Sequence, residues 1–179
     1  MKTRLIPAIV LCLTGLPALA DMTLTSPDFA EGAALPDAQV LNGFGCSGGN
    51  TSPALDWSGA PEGTKSFVLT VFDPDAPTGS GWWHWTVANI PADVTGLPAG
   101  ASPSALPEGA VEGRTDFGAP GFGGACPPEG ADAHRYVFTI YAMPEATLPL
   151  DANASGAMFG FFANAMALDK ATLTATYGR

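Results

Sequence analysis

Residues 73–85 read DPDAPTGSGWWHW, which sets Asp73 and Asp75 two positions apart and His84 among Trp82, Trp83 and Trp85. Carboxylates beside an imidazole are what acid–base catalysis, metal ligation and recognition of charged groups all draw on. The chain has two histidines, and the second, His134, ends another unusual segment, GGACPPEGADAHRY at 123–136. Pro74 and Pro77 hold the aspartates on a stiff, non-helical path, where an Asp-Pro or Ala-Pro peptide is a candidate for cis geometry. The tryptophans offer an apolar wall with N–H donors at its edge. Gly123 and Gly124 let the backbone approach a bound group closely, and Pro127-Pro128 sets the course of the loop. Taken singly, each feature has an ordinary reading: DPDAP as a turn, GG before CPP as a loop, the tryptophans as core. That both histidines stand beside such segments, with none elsewhere, weakens the ordinary reading of the whole.

Strands must bring these side chains together. KSFVLTVFD (65–73) is a continuous β-branched and aromatic run, the pattern of a central strand covered on both faces. HWTVANI (84–90) and RYVFTIYAM (135–143) read the same way, and TLTATY (172–177) alternates like a half-exposed strand. A hairpin joining the first two strands delivers Asp73 and His84 to one end of a sheet. If the strand starting near Arg135 runs parallel to the one starting near Trp83, His134 arrives there too and both histidines converge with Asp73 and Asp75; periodicity leaves that direction open. With 22 glycines and 17 prolines spread along the chain, long helices have little room, and the class expected is mostly β. The exception is SGAMFGFFANAMALDK (155–170), where Met158, Phe161, Phe162, Ala165 and Met166 recur at helical spacing behind Ser155 as N-cap. That stripe is expected to face the core. Residues 91–124 lack periodicity and read as long surface connections, which in compact domains tend to carry function.

Residues 1–20 carry Lys2 and Arg4 before an apolar run and end in Ala18-Leu19-Ala20, the pattern of a cleaved secretory leader. The residues before Cys12, Val10 and Leu11, do not suit a lipoprotein site. Residues 21–179 are then one exported domain, periplasmic or secreted, with no later apolar run long enough to span a bilayer. Losing Lys2 and Arg4 leaves five basic residues against seventeen acidic, a formal charge of −12. A surface this acidic argues against nucleic acid and anionic membranes as partners. Cys46 and Cys126 remain in a compartment where disulfides persist, so a bridge between them is favoured over two unpaired thiols. Closing so long a loop stabilises by about 4 kcal/mol at most in the chain-entropy treatment.

The blocks CSGGNTSPALDW (46–57), DPDAPTGSGWWHW, NIP (89–91) and GGACPPEG with HRY (134–136), in that order, resemble the phosphatidylethanolamine-binding protein family, especially its bacterial Raf kinase inhibitor-like branch. The likeness runs from about residue 22 to the end. It implies an antiparallel β-sandwich with one or two short helices, one of them near the C-terminus, and a small anion-binding pocket at one end. It also implies a ligand-binding set of Asp73, Asp75, Trp82, His84, Gly124, Pro127, His134 and Tyr136. Cysteines resembling Cys46 and Cys126 pair in bacterial relatives, which supports the bridge. Phe122 stands where the family often has Tyr and Ala125 where it often has Pro. The animal members' additional tyrosine has no counterpart, and their kinase-binding role is not carried over.

Two carboxylates beside an anion site repel the ligand unless they serve another purpose. If an aspartate accepts a hydrogen bond from a histidine ring, it fixes the tautomer, favours the charged ring and aims the other nitrogen at the ligand. Tyr136 and backbone N–H groups near Gly124 would add donors. The function expected is therefore binding of a small anion or phosphorylated headgroup, without cofactor or metal, strengthening as pH falls through the histidine range. A protein partner, unnamed by the sequence, would be modulated through this binding. The alternatives are an Asp/His-dependent or metal-assisted phosphohydrolase, for which no nucleophile or diagnostic ligand spacing is evident, and a protease or kinase inhibitor acting through its surface.

Overall fold

The short elements imposed by glycine and proline open the described residues, 21–179 of the computed structural model; the expected leader at 1–20 lies outside them. Strands β1 (Thr23–Thr25), β2 (Asn42–Gly43), β3 (Cys46–Ser47) and β4 (Leu55–Ser58) precede two long ones, β5 (Ser66–Asp73) and β6 (Trp82–Pro91). Then come β7 (Gly96–Leu97), a one-turn helix α1 (Ala101–Ser104), β8 (Val111–Glu112) and the long β9 (His134–Met143). Helix α2 (Gly156–Met166) and β10 (Asp169–Tyr177) complete the chain. The four runs read from sequence as strands are β5, β6, β9 and β10. The 91–124 connection carries only β7, α1 and β8.

The main sheet has the order β10-β9-β5-β6-β8 with antiparallel neighbours, and a smaller sheet has the order β1-β4-β7. Between the two lies the principal core, where Leu24, Leu55 and Trp57 meet Leu69, Val71, Trp85, Phe138 and Ile140. The opposite face of the main sheet presents Val68, Ala88, Tyr141 and Met143 to Phe159 and Ala163 of α2. Alternate residues of β5 thus enter different cores, which is why its sequence shows no polar face.

Helix α2 starts as expected, with Ser155 Oγ accepting from the Met158 amide at 3.3 Å. Its buried face is not the expected stripe. Gly156, Phe159, Gly160 and Ala163 turn inward, while Met158 and Phe161 are 47% and 65% exposed and Phe162 and Met166 only flank the core. The reason is Trp83. A Cβ on Gly156 would lie 2.2 Å from its ring, and one on Gly160 would lie 2.9 Å away, so only glycine lets the helix seat on that indole. The cis peptide also differs from expectation: among the described residues it is Ser102-Pro103, not a bond of the DPDAP turn.

Candidate functional site

Strand order explains how the dispersed residues meet. β6 and β9 both run antiparallel to β5, so they run parallel to each other and start beside the end of β5. That resolves the direction left open by periodicity. In the β5–β9 register Phe72 pairs with Val137, so Asp73 follows alongside Tyr136 and near His134.

A β-bulge brings in His84. The register steps from Val71↔Trp85 to Phe72↔Trp83, leaving His84 as the extra residue on β6. Trp85 therefore enters the core between the sheets, where its indole N–H donates to Glu112 at 2.6 Å. Trp83 packs on the opposite face against Phe72 and α2. Trp82, paired with Asp73, and His84 are left to a cavity of about 210 Å³ at the strand ends.

Asp73, Trp82, His84, Pro127, His134 and Tyr136 line this cavity. His134 Nδ1 donates to Asp73 Oδ2 at 2.7 Å, with both side chains buried. The other Asp73 oxygen accepts from the amides of Asp75 and Ala76 at 2.8 and 3.0 Å, so one carboxylate ties the turn to the imidazole. His84 is oriented differently from the expectation: its Nδ1 donates to the Gly123 carbonyl at 2.7 Å. A carbonyl can only accept, so this bond keeps the proton on Nδ1. Nε2 of each ring makes no hydrogen bond among the described residues.

Two members of the expected set stand outside the lining. Asp75 accepts from the amide, Nε and Nη2 of Arg135 at 2.9, 2.9 and 2.7 Å. That guanidinium holds its carboxyl down at about 2, while Asp75 bonds to neither histidine. Gly124 is pressed against backbone, since a Cβ there would lie 2.4 Å from the Gln39 carbonyl oxygen. Its amide donates to Asn50 Oδ1 at 2.8 Å, and the Gly123 amide donates to the His84 carbonyl at 2.9 Å. These amides are spent on the wall. The neighbouring Ala125 amide donates to the Gln39 carbonyl at 3.1 Å, a bond that proline at this position could not make.

Phe117 and Phe44 also line the cavity, and neither drew notice in the sequence. Phe117 lies 5.3 Å from Trp82 and 5.4 Å from His84 between ring centroids, and Phe44 lies 5.9 Å from Phe117. Asp116 seats Phe117 by accepting from the Trp83 amide at 2.8 Å. The one available signal was the location of Phe117 within a long connection.

Burial pushes the His84 imidazole below its ordinary value, against the Gly123 carbonyl and the Asp73 charge, which favour the cation. Burial, and then Asp73, pushes the Tyr136 hydroxyl up, so it stays a neutral donor. Tyr136 Oη and Trp82 Nε1 are buried without a hydrogen-bond partner meeting ordinary geometry, although the Cys126 amide lies near enough to the phenol to favour its anion. Buried donors left this way carry a penalty that a suitable acceptor would relieve. Cys126 joins the wall through a disulfide to Cys46. With Asp75 turned to Arg135, one donor is lost from the two-Asp, two-His set that a metal would have used.

A larger open groove of about 780 Å³ lies between β1 and β10, but its titratable members are engaged. Glu31 accepts from the Thr174 amide at 2.8 Å, and Lys170 sits 5.7 Å from the centre of the Tyr141 ring. The chemistry gathers at the smaller cavity.

The family model described as phosphatidylethanolamine-binding protein matches residues 25–178. The YbcL protein of Escherichia coli (strain K12) is 51% identical over 180 residues, covering 99% of this chain and 98% of the relative. YbhB of the same organism is 49% identical over 158 residues, covering 87% of this chain and 99% of its own length. The crystal structure of E. coli YbcL, described as a new member of the mammalian PEBP family, superposes with a TM-score of 0.88 at 54% identity, over 89% of this chain and 99% of that one. The order of blocks in the sequence, the sheet topology and these likenesses agree: the chain belongs to the phosphatidylethanolamine-binding protein family.

Proposed function

We propose that this protein is an exported binder of a small anion or phosphorylated headgroup, held in the cavity formed by Asp73, Trp82, His84, Pro127, His134 and Tyr136. The observation that carries the reading is the convergence on one small cavity of two histidines, each with Nδ1 committed to a protein acceptor, and two unpaired buried donors, Tyr136 Oη and Trp82 Nε1. With Nδ1 protonated, Nε2 becomes a donor only when the ring takes a second proton, and a charged donor to an anion forms a short, strong bond. Asp75 and Gly124 serve at one remove, Asp75 by fastening the turn to Arg135 and Gly124 by letting the loop wall close on the Gln39–Leu41 backbone. No serine or cysteine is set as a nucleophile against this cavity, since Cys126 is bridged, and binding accounts for the geometry better than hydrolysis. Export of residues 21–179 as a single domain accords with the leader-like sequence and with the disulfide.

Calorimetric titration with phosphate and phosphorylethanolamine at about pH 5.5 and about pH 8 tests the reading. Binding at the lower pH that takes up protons and is lost in His84→Gln and His134→Gln supports it. Equal affinity at both pH values, or phosphate release on incubation with phosphomonoesters, overturns it.

A further inference from the structure

The mouth of the cavity carries a feature that anion binding does not require. Phe44 is 75% exposed, holds a left-handed φ of 49° and stacks on Phe117 at 29° between ring planes. Phe44 and Gly45, with φ of 49° and 86°, are the two central residues of the hairpin turn between β2 and β3, where a primed turn takes positive φ at both positions and lifts the Phe44 ring off the strand pair. Two kinds of contact fasten this turn to the cavity wall, and they join the same two segments. The Cys46–Cys126 disulfide ties the turn to the wall, and Cys126 Sγ lies 3.7 Å from the carbonyl oxygens of Gly43 and Phe44. Arg179 donates from Nε to the Pro127 carbonyl at 2.7 Å, and from its two terminal nitrogens to the carbonyls of Gly45 at 3.2 Å and Phe44 at 3.4 Å. The base of the turn is secured separately, with the Gly48 amide bonded to the Leu41 carbonyl and the Leu41 amide to the Ala125 carbonyl. The Gly43–Cys46 pairing shapes the tip, and the disulfide and Arg179 dock it on the wall.

We infer that Phe44 is a specificity-determining residue of this cavity, set over its mouth by the disulfide and Arg179 as positioning groups, so that the preferred ligand carries an apolar or aromatic substituent beside its anionic head. The inference rests on the anion-binding reading above. Pro77, Pro127 and Pro128 continue the apolar rim, and Phe44 with Phe117 supplies ring surface where such a substituent leaves the polar interior. An inorganic anion gains nothing from that rim.

Inorganic phosphate and phenyl phosphate are the probes. The expected result for Phe44→Ala is a loss of about tenfold in phenyl phosphate affinity with inorganic phosphate nearly unchanged. Combining Cys46→Ser, Cys126→Ser and Arg179→Ala is expected to reproduce that selective loss and to raise amide exchange over residues 42–48 while β5 and β9 stay protected. Equal weakening of both probes by Phe44→Ala, or no weakening of either, overturns the inference and leaves the anion site standing. Unchanged exchange in the combined variant overturns the positioning role of the two fastenings. Failure of the unmodified protein to bind either probe removes the anion-binding reading and this inference with it.

Discussion

His84 and Asp75 show how one residue's meaning depends on its partner. His84 is harder to protonate in the fold than in the unfolded chain, because burial outweighs the Gly123 carbonyl and Asp73. Its contribution to stability is fully present above the ordinary imidazole value of 6.5 and is lost as pH falls through the lower folded value. Between about pH 7 and about pH 5 the melting temperature of ligand-free protein should therefore fall more steeply than that of His84→Gln; parallel curves would remove His84 from the account. In the proposed binder the same burial would place the part of the rise in anion affinity that comes from His84 below 6.5. For Asp75 the dominant cause is the Arg135 hydrogen bond, and the carboxyl titrates at about 2. In Arg135→Gln a carboxyl-resolved NMR titration should find it back toward 3.8, and the loss of stability as pH falls from 3.8 toward about 2 should become shallower, because Asp75 then takes up protons alike in the folded and unfolded chains.

Among the elements, β6 and α2 depend on each other through Trp83. The bulge at His84 splits neighbouring tryptophans between two faces, and α2 accepts Trp83 only because residues 156 and 160 lack a side chain. Alanine is the better helix former by close to 1 kcal/mol, yet Gly156→Ala is expected to destabilise by about 1–3 kcal/mol because its Cβ would overlap the indole. Urea unfolding measures the change; a more stable variant would show that α2 can shift off Trp83 without cost. A larger loss than from an alanine on the exposed face, such as Met158→Ala, would mark the contact as specific.

At the scale of the whole molecule, charge and site oppose each other. An anion bound as proposed would have to reach the cavity against a formal charge of −12 on residues 21–179. Screening weakens that repulsion, so the association rate of phosphate should rise between about 10 mM and about 150 mM of a salt whose anion is too bulky for the cavity. A falling rate would mean that the local field at the mouth is positive enough to steer anions inward. In the proposed binder, selectivity would come from short-range hydrogen bonds and shape, since the long-range field disfavours an anion.

Continuous β-branched and aromatic runs, the alternation of TLTATY, turn residues and capping are local properties, which is why β5, β6, β9, β10 and the Ser155 cap are legible in the sequence. Much of the candidate site is legible for the same reason, because Asp73, Trp82, His84, His134 and Tyr136 all stand at the starts or ends of those strands. Partner choice is not local. The Asp73–His134 bond spans 61 positions, the Asp75–Arg135 pair 60, and the Arg179–Phe44 contact 135, so each exists only once strand order and register are set. The inward face of α2 was likewise decided by the shape of Trp83 rather than by hydrophobic spacing, since packing rewards the residue that fits over the one that is merely apolar. The sequence by itself determined the four long strands and drew attention to Asp73, His84 and His134 through local propensity and residue chemistry, while the family resemblance added Trp82, Pro127 and Tyr136 and supported the cysteine bridge. Only the tertiary structure decided which aspartate holds a histidine, what orients the other ring and which aromatic residues close the mouth, because those depend on distances between segments far apart in the chain.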